Sequence, residues 1–293
     1  MTRQQRTGWL FTAPVLAIIT LVFVLPTLMA LALSVTDYSV YALADWANLD
    51  FIGVGNFTAL LSTPLFWRAL GNTALFALFG VPMAIGASLA AALLLNDATV
   101  RWKPLWRVAL FAPYVTSVVA TATVWQYLLN TRYGLINYAL SLVGVAPVDW
   151  LGDPRASIPA ILLFVTWKIF GYNMILFTAA LSTVPQDLME AARLDGASRW
   201  GRFRHVTLPA IGPTLLLAAI MSVAGFLQLF AEPYVMTQGG PAQSTVTVLY
   251  FMFDEGFKWW NLGQASAVAL ILFVVILALT FIQTRIGRRF EWL

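Results

Sequence analysis

The sequence predicts an all-α integral membrane protein with six transmembrane helices. Three observations lead there. Of its 293 residues, 60% are hydrophobic and only 10% charged, and the mean hydropathy is +0.79. A soluble domain averages about 25% charged residues. Several long stretches carry no charge at all, and a bilayer span needs only ~20 apolar residues. Finally, Lys and Arg alternate by loop rather than gathering in one patch, as membrane topology requires.

Residues 7–36 are free of charge, and the first span is expected over 9–34. Arg3 and Arg6 precede it. The apolar run is longer than the ~7–15 residues of a signal-peptide core, so it reads as an uncleaved anchor. The charge-free stretch 69–96 predicts a second span over 72–95, and 108–131 a third over 107–129. The fourth, 158–181, holds one charge, Lys168. The fifth is expected over 214–230, and the sixth over 264–282 inside the charge-free run 259–284. Together they form one transmembrane domain over residues 1–293.

An even number of spans puts both termini on one side. With the N-terminus inside, the inner segments hold Arg3, Arg6, Arg101, Lys103, Arg107, Arg193, Arg199, Arg202, Arg204, Arg285, Arg288 and Arg289, twelve of the seventeen basic residues. The outer loops hold Arg68, Arg132, Arg155 and Lys258. This bias predicts a multi-pass protein of the bacterial cytoplasmic (inner) membrane with cytoplasmic termini. The net charge of +4 follows that topology, so a nucleic-acid partner is not expected.

The outer loops carry local signals. Residues 51–72 begin with glycine turns and offer Phe57, Leu60 and Leu61 at helical spacing before Pro64 breaks the run. In the loop 232–263, Gly239-Gly240-Pro241 marks a turn, and Asp254, Glu255, Lys258, Trp259 and Trp260 read as an interfacial belt. Catalytic and metal sites are not expected. Cysteine is absent, His205 is the single histidine, and no carboxylates pair within the spans. A phosphate-binding loop needs Gly-Lys-Ser/Thr. The three lysines follow Trp102, Trp167 and Phe257. No ATP site or other cofactor is therefore predicted in this chain.

The polar island between the fourth and fifth spans, residues 185–213, organises the rest. Pro185 suits a first helical position, with Gln186 and Asp187 in the first turn. Leu188, Ala191, Ala192 and Leu194 give a short amphipathic helix, and Gly196 fits the left-handed residue that ends it. Ser198 can cap a second arm bearing Trp200, Phe203 and Val206, punctuated by Pro209 and Pro213. The result is two short arms at an angle. On physical grounds alone, a capped connecting loop and a docking surface both fit.

The motif E-A-A-x-x-D-G-A followed by F-x-x-V-x-L-P-x-x-x-P uses Glu190, Ala191, Ala192, Asp195, Gly196, Ala197, Phe203, Val206, Leu208, Pro209 and Pro213. It closely resembles the EAA loop of binding-protein-dependent ABC importer permeases, with Val206 in place of the usual Ile. The stretches F-I-G-V-G-N-F to G-N-T (51–73), W-x-x-L-L-N-T-R-Y-G (125–134) and M-T-Q-G-G-P-A-Q-S-T (236–245) are similar to the carbohydrate-uptake class. The resemblance implies a type I importer permease architecture. It also implies a second, heterologous permease, two cytoplasmic ATPase subunits that bind ATP and Mg, an extracytoplasmic solute-binding protein and a sugar-type solute. In that family the loop is a coupling helix seated in a groove of the ATPase. Glu190, Ala191, Ala192, Asp195, Gly196, Ala197, Phe203, Leu208 and Pro209 would do this here.

For the solute path, the charge of Lys168 would cost about 2.5–3.5 kcal/mol facing lipid, so it should face a wet cavity or a partner. Lys168 and Tyr172 are one turn apart, with Val165 and Ile169 on the same side and Asn173 turned away by ~100°. In the fifth span Ser222, Gly225, Phe226 and Leu229 share a face. The expected path residues are Lys168, Tyr172, Asn173, Ser222 and Phe226. Helix packing would explain the same residues equally well. Two rival functions fit the composition: an ion-coupled secondary transporter, which would carry acidic residues within its spans, and a membrane scaffold indifferent to Glu190 or Gly196.

Overall fold

A computed structural model describes residues 2–40, 50–97, 99–290 and 292. Its regular structure is helical; one isolated antiparallel bridge joins Thr36 and Phe51. Among the described residues, four helical stretches are long and apolar enough to cross a membrane: Thr7–Leu33, Pro64–Asn96, Pro154–Ser182 and Leu262–Arg289. Two further candidates are bent pairs, Lys103–Val115 with Val118–Leu128 at 99°, and Arg199–Ala210 with Gly212–Leu227 at 72°. Six crossings therefore result only if each bent pair counts as one. The expected third span over 107–129 is not a continuous helix.

The chain divides into two compact units, residues 1–67 with 251–274, and residues 68–250 with 275–293. In the first unit, helix α1 (Arg3–Ile19) passes through a π turn (Thr20–Val24) into α2 (Leu25–Leu33). Pro26 lies in the first turn of α2. It has no N–H to give to the preceding turn, which fits the wide turn there. Residues 7–29 are exposed throughout, as befits a helix apolar on every side. The short helix α3 (Gly55–Leu61) is tied to the end of α2 by Asn56, whose Nδ2 donates to the carbonyls of Ser34 (2.8 Å) and Thr36 (2.7 Å). Pro64 does not merely break this segment; it opens the next long helix, α4 (Pro64–Asn96).

The second unit holds most of the core. Helix α5 (Lys103–Val115) stops at Thr116, and α6 (Val118–Leu128) leaves in a new direction. A helix of 13 residues is only ~20 Å long, too short to cross alone. A short helix α7 (Leu135–Leu142) precedes α8 (Pro154–Ser182), which is buried along one side and packs closely on α5. Gly171 makes that approach feasible, because a Cβ there would run into the Leu110 carbonyl.

The polar island follows as α9 (Gln186–Leu194), α10 (Arg199–Arg202), a π turn (Phe203–Thr207) and α11 (Leu208–Ala210). Helix α12 (Gly212–Leu227) is the fifth apolar segment. The chain then folds back in a short helix, α13 (Ala231–Met236), which is held on α6 by Gln126. The Gln126 Nε2 donates to the carbonyls of Val235 (2.8 Å) and Met236 (3.1 Å). After the Gly239-Gly240-Pro241 turn the following turn segment is anchored to α4. Arg68 donates to the Ala242 carbonyl (3.0 Å), and Asn72 to those of Gln243 (3.0 Å) and Val246 (2.9 Å). Helix α14 (Val248–Phe253) leads through a third π turn (Asp254–Lys258) to α15 (Leu262–Arg289).

Candidate functional site

Helices α5, α8, α12 and α13 surround a cavity of about 290 Å³ inside the second unit. That is near the lower end of small-molecule sites, ~300–1,000 Å³. Its lining comprises Tyr114, Val165, Ile169, Tyr172, Asn173, Met221, Ser222, Gly225, Phe226, Leu229 and Glu232. Most of the surface is apolar or aromatic, with a few polar groups that converge. Tyr114 and Tyr172 stack with ring centroids 4.9 Å apart at 21°. The Asn173 Nδ2 donates to the Ser222 Oγ at 3.3 Å, a buried link between α8 and α12. The Phe226 ring is 1% exposed and lies directly on Gly80 of α4, where a Cβ would collide with it.

Four of the five expected path residues, Tyr172, Asn173, Ser222 and Phe226, are thus brought to one cavity. The fifth, Lys168, is not in the lining. Its Nζ donates to the carbonyls of Thr116 (2.7 Å) and Pro113 (3.2 Å). Pro113 lies in the last turn of α5 and Thr116 is the residue that ends it, where the ladder has run out of donors. The ammonium also sits at the negative end of that helix. Lys168 therefore holds the break in the third apolar segment rather than facing the open space.

Glu232, which opens the expected outer loop 232–263 beyond the fifth apolar run, also lines the cavity. The turn after Leu229 brings it back to the cavity. Burial pushes its carboxyl above the usual range, while its own amide and the Lys168 charge pull it down. The expected spans hold no acidic residue, but Glu232, just beyond the fifth, lines the cavity. The run Pro233, Tyr234, Val235 and Met236 beside it is the one local signal that this segment packs on the other helices.

The polar island has the order of helix, glycine cap and second helix that its residues predict, with two adjustments. Pro185 is the residue before α9 rather than its first member. Gly196 has φ +75, the Gly196 amide donates to the Arg193 carbonyl (3.1 Å), and that of Ala197 to Ala192 (2.9 Å). These two bonds form the Schellman arrangement that ends a helix. The Ser198 side chain accepts from the Gly201 amide at 3.0 Å and starts the second arm. That arm does not end with α10. It runs through the Phe203–Thr207 π turn to Ala210, then bends by 72° at the start of α12. Pro209 has no N–H for the ladder, which fits the widened turn before it. Glu190, Ala191, Asp195, Gly196 and Pro209 are exposed, and Ala192, Ala197, Phe203 and Leu208 half-buried. Leu194 is 89% and Trp200 66% exposed, so the elbow presents apolar side chains outward.

Apolar helices of spanning length, a capped polar island leading into α12 and a small, mostly apolar cavity with a few polar groups together describe a helical membrane protein with room for a small solute. The chain belongs to the family of binding-protein-dependent transport system inner membrane components, whose model matches residues 5–292. It is similar to the lactose transport system permease protein LacF of Rhizobium radiobacter, 36% identical over 94% of this chain and 92% of that one. It is also similar to the trehalose/maltose permease MalF of Thermococcus litoralis, 31% identical over 98% and 95%. The sn-glycerol-3-phosphate permease UgpA of Agrobacterium fabrum is 30% identical over 94% and 93%. Among solved structures, a chain of a bacterial ABC transporter that imports alginate matches with a TM-score of 0.80, covering 98% of each chain at 23% identity. That likeness establishes the type I importer fold.

Proposed function

We propose that this chain is the transmembrane permease subunit of an ATP-driven importer for a sugar or related solute. The family match over residues 5–292 carries the reading. In it, a solute-binding protein delivers the solute, a second and different permease completes the pathway, and two cytoplasmic ATPase subunits supply the energy. The chain contributes no catalysis and binds no ATP. Residues 185–213 lie in the cytoplasm with both termini, and Glu190, Ala191, Ala192, Asp195, Gly196, Ala197, Phe203, Leu208 and Pro209 meet the ATPase.

The cavity is the solute path. Ring faces of Tyr114 and Tyr172 suit the C–H faces of a sugar, and the Asn173 amide and Ser222 hydroxyl suit its O–H groups. The relatives are named for lactose, for trehalose and maltose, and for sn-glycerol-3-phosphate. A neutral saccharide and a phosphate ester both fall in that range. ATP drive rests on the family and not on a lack of acidic residues near the path, since Glu232 lines the cavity.

The test is uptake by proteoliposomes holding the whole complex, with ATP hydrolysis recorded in parallel. Tyr172→Ala and Asn173→Ala are each expected to lower uptake about three- to tenfold, the scale of one aromatic contact or hydrogen bond, while hydrolysis continues. Wild-type uptake in both variants would remove the cavity from the path.

A further inference from the structure

The cavity lining contains one carboxyl group, that of Glu232, and no Lys, Arg or His. The charge that acts on Glu232 is Lys168, and its ammonium is engaged by the carbonyls of Pro113 and Thr116. Among the described residues the side-chain ion pair is Lys258 with Asp254, at 3.8 Å and elsewhere in the chain. Glu232 therefore has no cation bonded to it. The rest of the cavity lining is mostly apolar or aromatic, with the Asn173 amide and Ser222 hydroxyl among its few polar groups, and such a wall screens charge poorly.

We infer that the solute accepted by this cavity is uncharged or cationic, and that Glu232 turns anions away. The inference rests on the cavity being the solute path. An anion brought beside Glu232 meets a like charge in a weakly screened space, or must first have that carboxyl protonated. Either route costs binding. A neutral polyol can donate its O–H groups to the carboxylate, and a cation can pair with it. Phosphate, sulfonate and uronate groups are thereby disfavoured on this chain's side of the pathway, whatever the binding protein has already selected.

The chain has no cysteine, so an introduced thiol reports alone. Gly225 lines the cavity, and nothing stands within 4 Å of where its Cβ would be. Gly225→Cys in the full chain, co-expressed with its partner subunits in membrane vesicles, is treated with methanethiosulfonates of equal size that are neutral, cationic (trimethylammonium) or anionic (sulfonate). Relative to their rates with a free thiol, the cationic reagent should exceed the anionic by about tenfold, the effect of one unscreened charge nearby. Adding Glu232→Gln should bring the ratio close to that of the free thiol, and Glu232→Asp should keep it. If Glu232→Gln leaves the ratio unchanged, or the anionic reagent is favoured with Glu232 present, the charge filter is overturned. If even the neutral reagent fails to modify the thiol, the cavity is not open to water, and the reading of it as the path falls together with the filter. Elution of each variant as the assembled complex shows that a change in ratio is not a loss of folding.

Discussion

Gly196→Pro is expected to leave the protein inserted in the membrane and to lower solute uptake about a hundredfold. Gly196 sits at φ +75, and its amide donates to Arg193. Proline is locked near φ −65 and has no N–H, so it can supply neither feature. Misfitting proline costs about 3 kcal/mol, which would leave the native elbow populated at about one part in a hundred. The apolar helices on either side are untouched, so the variant should reach the membrane in normal amount. Gly196→Ala keeps the amide and meets nothing within 4 Å. It pays only the left-handed strain of ~1–2 kcal/mol, and its uptake should fall between those of the proline variant and the wild type. Uptake and hydrolysis measured together decide the matter. Proline at 196 with wild-type uptake per ATP would mean that the elbow transmits nothing.

Lys168→Met is expected to destabilise the complex and to slow uptake. Methionine approximates the length of the side chain but donates no hydrogen bond. The carbonyls of Thr116 and Pro113 would each lose a charge-assisted bond, worth about 1.5–3 kcal/mol, although Pro113 keeps the Thr116 hydroxyl at 2.6 Å. With the 99° break no longer held from α8, Tyr114 would shift against Tyr172 and the cavity wall with it. Thermal unfolding in detergent should move down by about 6–24 °C, taking ~3–6 kcal/mol for the two bonds at ~2–4 °C per kcal/mol, and Lys168→Arg should recover part of the loss. An unchanged melting temperature together with normal uptake would show that the break maintains itself.

Much of this was legible in the sequence, for reasons that separate by range. Capping is local: Gly196, Ser198 and the prolines specify the elbow within a few residues, and the structure places them accordingly. Face sharing on one helix was also legible, so Ser222, Gly225, Phe226 and Leu229 do meet one cavity. What failed needed direction or distance. Hydropathy counts apolar residues but not their heading, so the third apolar run passed for one span although it turns by 99° at Thr116–Ser117. The role of Lys168 depends on carbonyls more than fifty residues earlier in the chain. Its helical face gave an angle and no partner. Glu232 was assigned to a loop because the reversal after Leu229 is made by tertiary contacts such as that of Gln126 with Val235 and Met236, and no periodicity announces them.

Residues 185–213 are proposed to pass the work of a partner ATPase to the membrane helices. Disulfide trapping tests this most directly. Leu194 is 89% exposed at the elbow, and the chain has no cysteine of its own. With Leu194→Cys and single cysteines placed around the groove of the ATPase subunit, the account predicts a cross-link in the assembled complex, with a yield that changes when ATP replaces ADP. A complex that transports solute but gives no cross-link from position 194 with either nucleotide would contradict it.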